Sequence, residues 1–489
     1  MTDSLSERRR LHPATLIVRW LRIVPQLLAG GIAIAVSGRG GDGLAGFLWI
    51  AGAALAIGAG FVLLAWWRFS YRIGANEIII EQGIVQRQRR IIPFDRIQDI
   101  AIEQPLLARL FGTARVKIET GAAARDEGRL DMIALSDAHA LRDHVRRGPS
   151  GAAATASAGE PLLFAMGVPR LLLSGLFGFS LIFLAAIAGA AQQLDQFGLI
   201  EWDVWFTEER AEAAAGLATA QAALAAAALV VLLGLVAGVA RTVARDFGFR
   251  LTRAEGGLRR KRGLFTLSEV VIPLRRTQVA VIDSGPLARL FGWCRLSFQT
   301  LGADQKEGGV QVAAPFARID EILPILAEAG FPPPPPRAAF RGIPRRALLR
   351  QAAPFLLLAA LATIAALLVD GRAGLGAAVM LAGALYAALR WRKHGHALDG
   401  RALFVSGGLL KRRLWILPFE KAQTIIVSRS PLQRRLRLAS LLVDTAGAPA
   451  LRAPEMADLD GGEAEAMAAR LLALFYAARA RVRLVPKPS

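Results

Sequence analysis

Gly263-Leu-Phe-Thr-Leu-Ser-Glu-Val-Val-Ile-Pro273, followed by Gln278, by Leu287-Ala-Arg-Leu-Phe-Gly292 and by Thr300, is the stretch whose reading decides the fold. Its anchors are spaced by ten, five, fourteen and eight residues, and the same ladder occurs twice more. Upstream it runs Gly83, Pro93, Gln98, Gly112, Thr120. Downstream it runs Gly408, Pro418, Gln423, Arg437, Thr445, with Arg in place of the last Gly. Leu107 to Gly112 repeats Leu287 to Gly292 letter for letter, and Leu432 to Arg437 repeats it weakly. Equal intervals at several anchors mark an internal repeat. One module is used three times.

Apolar segments surround the modules, and a bilayer-crossing helix needs about 20 such residues. Leu44 to Trp67, Leu171 to Ala191 and Leu217 to Ala240 contain no charged residue, nor do the shorter Ala352 to Val369 and Ala373 to Leu389. Leu16 to Ser37 is interrupted by Arg19, Arg22 and Pro25 and reads as a span with an interfacial start. No small-residue cleavage site follows it, which argues against a signal peptide. Six spans in three pairs are expected, each pair preceding one polar module.

Lys and Arg near the span ends set the orientation. Arg8, Arg9, Arg10, Arg19 and Arg22 crowd the start. Arg68 and Arg72, Arg241 and Arg245, and Arg390, Arg392 and Lys393 follow the second, fourth and sixth spans. The connector 192–216 instead carries six acids against the single Arg210. Both termini and all three modules are therefore expected in the cytoplasm, on the inner face of the membrane. The formal net charge of +21 is read as attraction to the anionic inner leaflet rather than as nucleic-acid binding, because no stacking-aromatic or recognition-helix pattern accompanies the Arg clusters. The lone Cys294 allows no intrachain disulfide and reads as a buried, inert thiol.

Within a module the text reads as short strands and one closing helix. In the first copy these are 69–73, 77–81, 84–92, 97–102, 115–120 and 132–135, with a helix capped by Ser136-Asp137. In the second copy Pro315 is expected to open the closing helix, and in the third the helix runs over about 463–483. Such a unit is a small barrel or sandwich closed by a helical plug.

On these residues the chain resembles the bacterial membrane proteins with pleckstrin-homology-like (PH-like) domains of the YdbS/YdbT type. The carriers are the Gly-to-Pro spacing, the pairs Ile97-Gln98, Thr277-Gln278 and Ala422-Gln423, the Leu-Ala-Arg-Leu-Phe-Gly turn and the strand ending in Thr. Nearly the whole chain is covered, and Arg437 predicts a reshaped turn in the third copy. The resemblance implies fold and location but no chemistry. It adds a service role in envelope maintenance or resistance to membrane-active agents, and a smaller one-module membrane relative as a partner.

The expected organisation is helix pair 16–67, PH-like domain 68–147, flexible linker 148–160, helix pair 171–240 with acidic outer loop 192–216, PH-like domain 246–330, proline linker 331–337, helix pair 352–389 and PH-like domain 396–483. The linkers read as an Ala/Gly/Ser tract and a stiff polyproline spacer.

Catalytic chemistry is not legible. Gly38-Arg-Gly40-Gly-Asp-Gly43 matches a dinucleotide fingerprint by letters but lies between two apolar spans, not after a strand. His394-Gly-His396 supplies two potential metal ligands and no third. No enzyme, cofactor or metal is assigned, and the five uncharged spans carry none of the ionisable groups that coupled transport uses. Binding remains. Basic residues gather beside the first Gly of each ladder: Arg87, Arg89 and Arg90; Arg259, Arg260, Lys261 and Arg262; Lys411, Arg412 and Arg413. These are the candidates for anionic lipid headgroups or a protein partner, and a charged edge that blocks strand pairing is the competing explanation. The function expected is a non-enzymatic membrane-anchored scaffold; the alternative is a component of a transport or export complex gated by the modules.

Overall fold

The structure is a computed structural model that describes residues 9–18, 20, 43–74, 76–84, 86–120, 128–147, 160–178, 220–301, 309–368, 373–445 and 454–484. Most of the first apolar segment, the second half of Leu171 to Ala191, the acidic connector 192–216 and nearly all of the linker 148–160 lie outside these residues. The chain forms two compact units, one of Met1–Glu160, Ala165–Arg250 and Arg259–Val271, the other of Pro161–Phe164, Leu251–Leu258 and Ile272–Ser489.

In the first repeat, helix α1 (Gly43–Arg68) leads directly into β1 (Ser70–Ile73), β2 (Glu77–Gln82) and β3 (Gln88–Pro93). A 3-10 turn, Phe94–Arg96, separates them from β4 (Ile97–Pro105), the short α2 (Leu106–Leu110), β5 (Thr113–Thr120), β6 (Arg129–Ala134) and the closing α3 (Leu135–Arg147). The second repeat brings β7 (Leu162–Ala165), α4 (Val168–Leu176), α5 (Ala220–Asp246), β8 (Arg250–Ala254), β9 (Gly257–Arg262) and β10 (Thr266–Pro273). After the turn Leu274–Arg276 come β11 (Thr277–Ser284), α6 (Pro286–Leu290), β12 (Cys294–Thr300), β13 (Val310–Ala317) and α7 (Ile319–Glu328). The third has β14 (Arg341–Gly342), α8 (Arg345–Leu368), α9 (Ala373–Trp391), β15 (Gly395–Leu398), β16 (Ala402–Gly407) and β17 (Arg412–Pro418). The turn Phe419–Lys421 then leads to β18 (Ala422–Ser428), α10 (Pro431–Arg435), β19 (Leu438–Thr445), β20 (Glu455–Asp460) and α11 (Gly461–Leu484).

The ladder anchors are backbone requirements. Gly83, Gly263 and Gly408 adopt φ values of 111°, 118° and 93°, and a Cβ there would lie 1.9, 1.9 and 2.1 Å from the carbonyl oxygens of Gln86, Thr266 and Lys411. Only glycine fits both the conformation and the space. Pro93, Pro273 and Pro418 each end a strand and cap the 3-10 turn. The register slips between Ile97 and Asp99, between Thr277 and Val279, and between Ala422 and Thr424, so Gln98, Gln278 and Gln423 are each the extra residue of a β-bulge. Thr120, Thr300 and Thr445 pair with the strand starts Ile97, Thr277 and Ala422.

The turn at Arg437 is not reshaped. Gly112 and Gly292 sit at φ 62° and 76°, and Arg437 takes φ 52°, with its carbonyl accepting from Gly461 N at 2.9 Å as that of Gly112 accepts from Leu135 N at 3.1 Å. Packing holds a non-glycine residue in a conformation it would otherwise avoid. Three boundaries also move. The strand expected from Ile84 begins at Gln88. Pro315 lies inside β13, and the helix opens at Ile319 behind Arg318. The helices outrun their apolar text, so Arg241 and Arg245 lie within α5 and Arg390 within α9.

The repeat is not a closed barrel. In the first unit β6, β5 and β4 continue onto β10, and in the second unit the order is β13-β12-β11-β17-β16-β15-β14. The second half of each of the first two repeats thus pairs with the first half of the next, while β1-β2-β3 and β18-β19-β20 remain separate three-stranded sheets. A segment ahead of each helical stretch adds to the first half. Arg9 bridges Tyr71, Arg253 N donates to Pro161 O at 2.9 Å beside β7, and Arg341 pairs with His396. Trp66 and Trp391, equivalent residues at helix ends, donate their indole N–H to Leu11 O and Pro344 O, both at 3.0 Å.

Alternation supplies the cores. Ile78, Ile80, Ile92, Ile100, Ile102, Val116, Ile118 and Leu130 are buried under Leu141 of α3, and Leu403, Leu417, Leu438, Leu441 and Val443 under Met467, Leu471 and Phe475 of α11. Two described helical stretches, Ala228–Asp246 and Arg345–Ile364, are long and apolar enough to cross a membrane, and Leu55–Arg68 and Gly376–Trp391 are shorter apolar stretches. Gly238 packs against Gly175 and Gly178, where a Cβ would meet carbonyl oxygens at 3.0 Å, so small residues let α4 and α5 approach closely.

Candidate functional site

The basic segments flank the hairpins β2–β3, β9–β10 and β16–β17, and the chain path fixes where those hairpin tips lie. β1 leaves the end of α1, and β2 returns beside it, with Ser70 paired to Glu81. In the second repeat the tip is bonded to the helix itself: Gly263 N donates to Phe247 O at 2.9 Å and Leu264 N to Ala244 O at 3.1 Å. In the third, Gly395 pairs with Ser406, and His394 lies against Gly407. Each tip therefore sits at the end of an apolar helix.

The three clusters are built differently. Arg87 and Arg89 are exposed, Arg90 is half-buried, and Arg89 lies 3.9 Å from Glu81. In the second cluster only Lys261 is exposed. Arg262 is buried in a 3.0 Å ion pair with Asp246, Arg260 is buried, and Arg259 reaches Glu160 at 3.2 Å and Glu269 at 3.8 Å. Glu269 also pairs with Arg142, and these guanidinium groups overcome the burial that would raise its pKa and hold it below the ordinary range. In the third cluster Lys411 lies 3.4 Å from Asp283, Arg413 is exposed, and Arg412 donates to Ser406 Oγ at 3.4 Å. Burial, then the neighbouring Arg337 and Arg289, lowers the Arg412 pKa from its ordinary value.

Large apolar side chains stand exposed beside these charges. Phe265 and Leu410 occupy the tips, and Leu106 and Leu110 of α2, with Leu287, Leu290 and Phe291 around α6, stand exposed beside the junctions. Pro105 pairs with Thr266, and Ser284 with Arg412, which brings each short helix to the following tip. There Arg109 donates to Leu264 O at 3.0 Å and Arg289 to Leu409 O at 3.3 Å. Sequence reasoning missed this role of the Leu-Ala-Arg-Leu-Phe motif, although its letter-for-letter recurrence was the available signal.

Other candidates fall away from the tips. Gln278 donates to Arg276 O at 3.0 Å, Gln423 is exposed, and the side chain of Gln98 lies outside the described residues. Cys294 Sγ donates to Ala317 O, and burial, followed by Asp283, pushes its pKa up to about 12. His394 is half-buried and His396 buried, and loss of solvent lowers both pKa values, to about 4 for His394.

Three stretches of the chain, residues 21–148, 197–329 and 353–475, match the bacterial PH domain family. The chain belongs to the bacterial PH domain family. Its repeated PH-like domains are of the YdbS/YdbT type. It is 24% identical over 393 residues to the UPF0699 transmembrane protein YdbT of Bacillus subtilis (strain 168), covering 71% of this chain and 74% of that protein. No solved structure matches the chain.

Proposed function

We propose that this family member is a non-enzymatic, multi-pass scaffold of the bacterial inner membrane, with six spans in three pairs and PH-like modules on the cytoplasmic side, whose hairpin tips dock on anionic lipid headgroups. One observation carries the reading: each tip sits at the end of an apolar helix and bears cationic side chains, with exposed apolar side chains at the second and third tips. A helix that ends at the bilayer boundary puts such a tip at headgroup depth. There Phe265, Leu410 and Leu110 can enter the acyl boundary while Lys261, Lys411 and Arg413 meet phosphate. The transmembrane relative and the basic residues at the helix ends support the same placement. The modules occupy residues 68–147, 246–330 and 396–483 in this reading.

The test uses the full chain in nanodiscs of neutral lipid, with binding of a fluorescent short-chain anionic lipid as readout. Arg87, Arg89, Lys411 and Arg413 are all exposed, so changing the four to Gln leaves the fold intact. At about 1 kcal/mol per surface charge, affinity should fall more than about a hundredfold. Raising salt should shrink the difference, because the screening length falls to about 3 Å at 1 M. Unchanged anionic-lipid binding would refute the headgroup reading.

A further inference from the structure

Two strand edges are left open where the repeat rule says strands should pair. At the first internal junction β4 pairs with β10, with Gln104 opposite Leu267 and Ile102 opposite Glu269. At the second, β11 pairs with β17, with Ser284 opposite Arg412 and Ile282 opposite Leu414. In repeat-equivalent positions the two registers are identical. The corresponding third pair is β18, the last repeat's copy of β4 and β11, and β3, the first repeat's copy of β10 and β17. Both instead end three-stranded sheets. Among the described residues, β6, β13 and β20 end their sheets in every repeat, and β1, whose equivalents β8 and β15 pair with β7 and β14, keeps a bridge from Tyr71 to Arg9, which leaves β3 and β18 as the described edges without their repeat partner.

The side chains on the open edges are those that the junctions bury. Ile426 and Val427 are 43% and 39% exposed, whereas their equivalents Val281 and Ile282 in β11 are 7% and 8% exposed. Ile91 of β3 is 50% exposed, whereas its equivalents are half-buried in β10 (Val271) and fully buried in β17 (Ile416). Open apolar edges template strand addition, and protected proteins cover them. The clamp that closes each junction is also present in both halves. Arg434 stands where Arg109 and Arg289 stand, exposed at the end of a short helix, and Ile84 stands where Leu264 and Leu409 offer their carbonyls.

We propose that β18 of one copy pairs antiparallel with β3 of a second copy of this chain. The register places Ile425 opposite Ile91, Val427 opposite Arg89 and Arg429 opposite Arg87, with Arg434 donating to the carbonyl of Ile84. The occupant is a second copy because each chain carries both complementary halves, one at each end of its repeat series. Such an interface is heterologous, so copies join head to tail, and helices held in a single bilayer plane favour closure into rings over open filaments.

The experiment is disulfide trapping of the full chain in native membranes, in a Cys294→Ser background. Val427→Cys is placed in one tagged copy and Arg89→Cys in a differently tagged copy expressed with it. Antiparallel partners have Cα atoms roughly 4.5–5.5 Å apart, within disulfide reach. Oxidation should give a product carrying both tags, in yield similar to the equivalent internal pair Ile282→Cys with Leu414→Cys. Moving one cysteine to Arg90 should reduce it severalfold, and so should Arg434→Ala. If the internal control forms while no two-tag product appears, the proposal is overturned. A product formed only within single chains carrying both Val427→Cys and Arg89→Cys would overturn it equally.

Discussion

The second and third hairpin tips read alike in sequence and are built oppositely. Both carry a basic run beside the ladder Gly, before Gly263 and after Gly408, and both meet the end of an apolar helix. Yet at the second tip Arg262 is locked inside on Asp246, while at the third Lys411 and Arg413 point outward. The helix ends differ in kind: Asp246 stands where the first and third repeats have Trp66 and Trp391, which donate an indole N–H to a preceding carbonyl. A carboxylate at that place needs a cation, and Arg262 supplies it. A basic run is therefore a surface signal only where no buried acid claims it.

The largest expected effect breaks that comparison directly. Arg262→Gln removes the close charge partner of buried Asp246, leaving only the part-exposed Arg245 at 4.0 Å, and should destabilise the second repeat by about 3 kcal/mol. Arg413→Gln, exposed in the third tip, should change stability by less than about 0.5 kcal/mol. Denaturant unfolding in detergent, followed by tryptophan fluorescence, measures both. Equal losses would remove the distinction between the tips.

The next effect separates the tips by acid. His394, at the third tip, is equivalent to the fully buried Phe249 at the second. Burial first, then Arg390 and His396, lowers its pKa to about 4, against Asp458 and a hydrogen bond to the Glu455 backbone, which raise it. The folded value lies below the ordinary His value, so the stabilisation is complete above about pH 6.5 and is lost as pH falls from there toward about 4, to at most about 3 kcal/mol. His394→Phe, the second tip's solution, should flatten this acid limb. Unfolding midpoints of parent and variant at about pH 7 and about pH 4.5 give the comparison. Parallel acid losses in the two proteins would count against it.

A smaller effect concerns the turns behind the tips. Gly292 and Arg437 share one left-handed conformation, which costs a non-glycine residue roughly 1–2 kcal/mol. Arg437→Gly should therefore raise stability by up to about 1 kcal/mol, since glycine's greater unfolded-state freedom offsets part of the gain. Gly292→Ala should lower it by about 1 kcal/mol, as open space there leaves only the backbone term. Thermal midpoints of the two variants should move in opposite directions.

What the sequence made legible was backbone-determined. Gly83, Gly263 and Gly408 are forced by φ, Pro93, Pro273 and Pro418 by strand ends, and Gln98, Gln278 and Gln423 mark bulges, so their spacing survives divergence. Arg437 misled because packing can hold a non-glycine residue where glycine would be relaxed. Pairing of β4 with β10 and of β11 with β17 was not legible, since a strand's text names its buried face and not its neighbour across a long sequence separation. The leading strand at Arg9 and Arg341 is too short to carry a period. At the candidate site the charges were visible, but whether each was buried turned on Asp246 and Glu160, residues outside the run.

The account's central claim is that the hairpin tips lie at headgroup depth. In a Cys294→Ser chain reconstituted into proteoliposomes, Leu410→Cys would carry an environment-sensitive fluorophore and the vesicles lipids with a headgroup quencher. Glu420→Cys serves as reference, because it is exposed in the 3-10 turn at the far end of β17, about 20 Å along a seven-residue strand from the tip. The account predicts strong quenching at position 410 and little at 420. Equal quenching at both positions, or stronger quenching at 420, would contradict it.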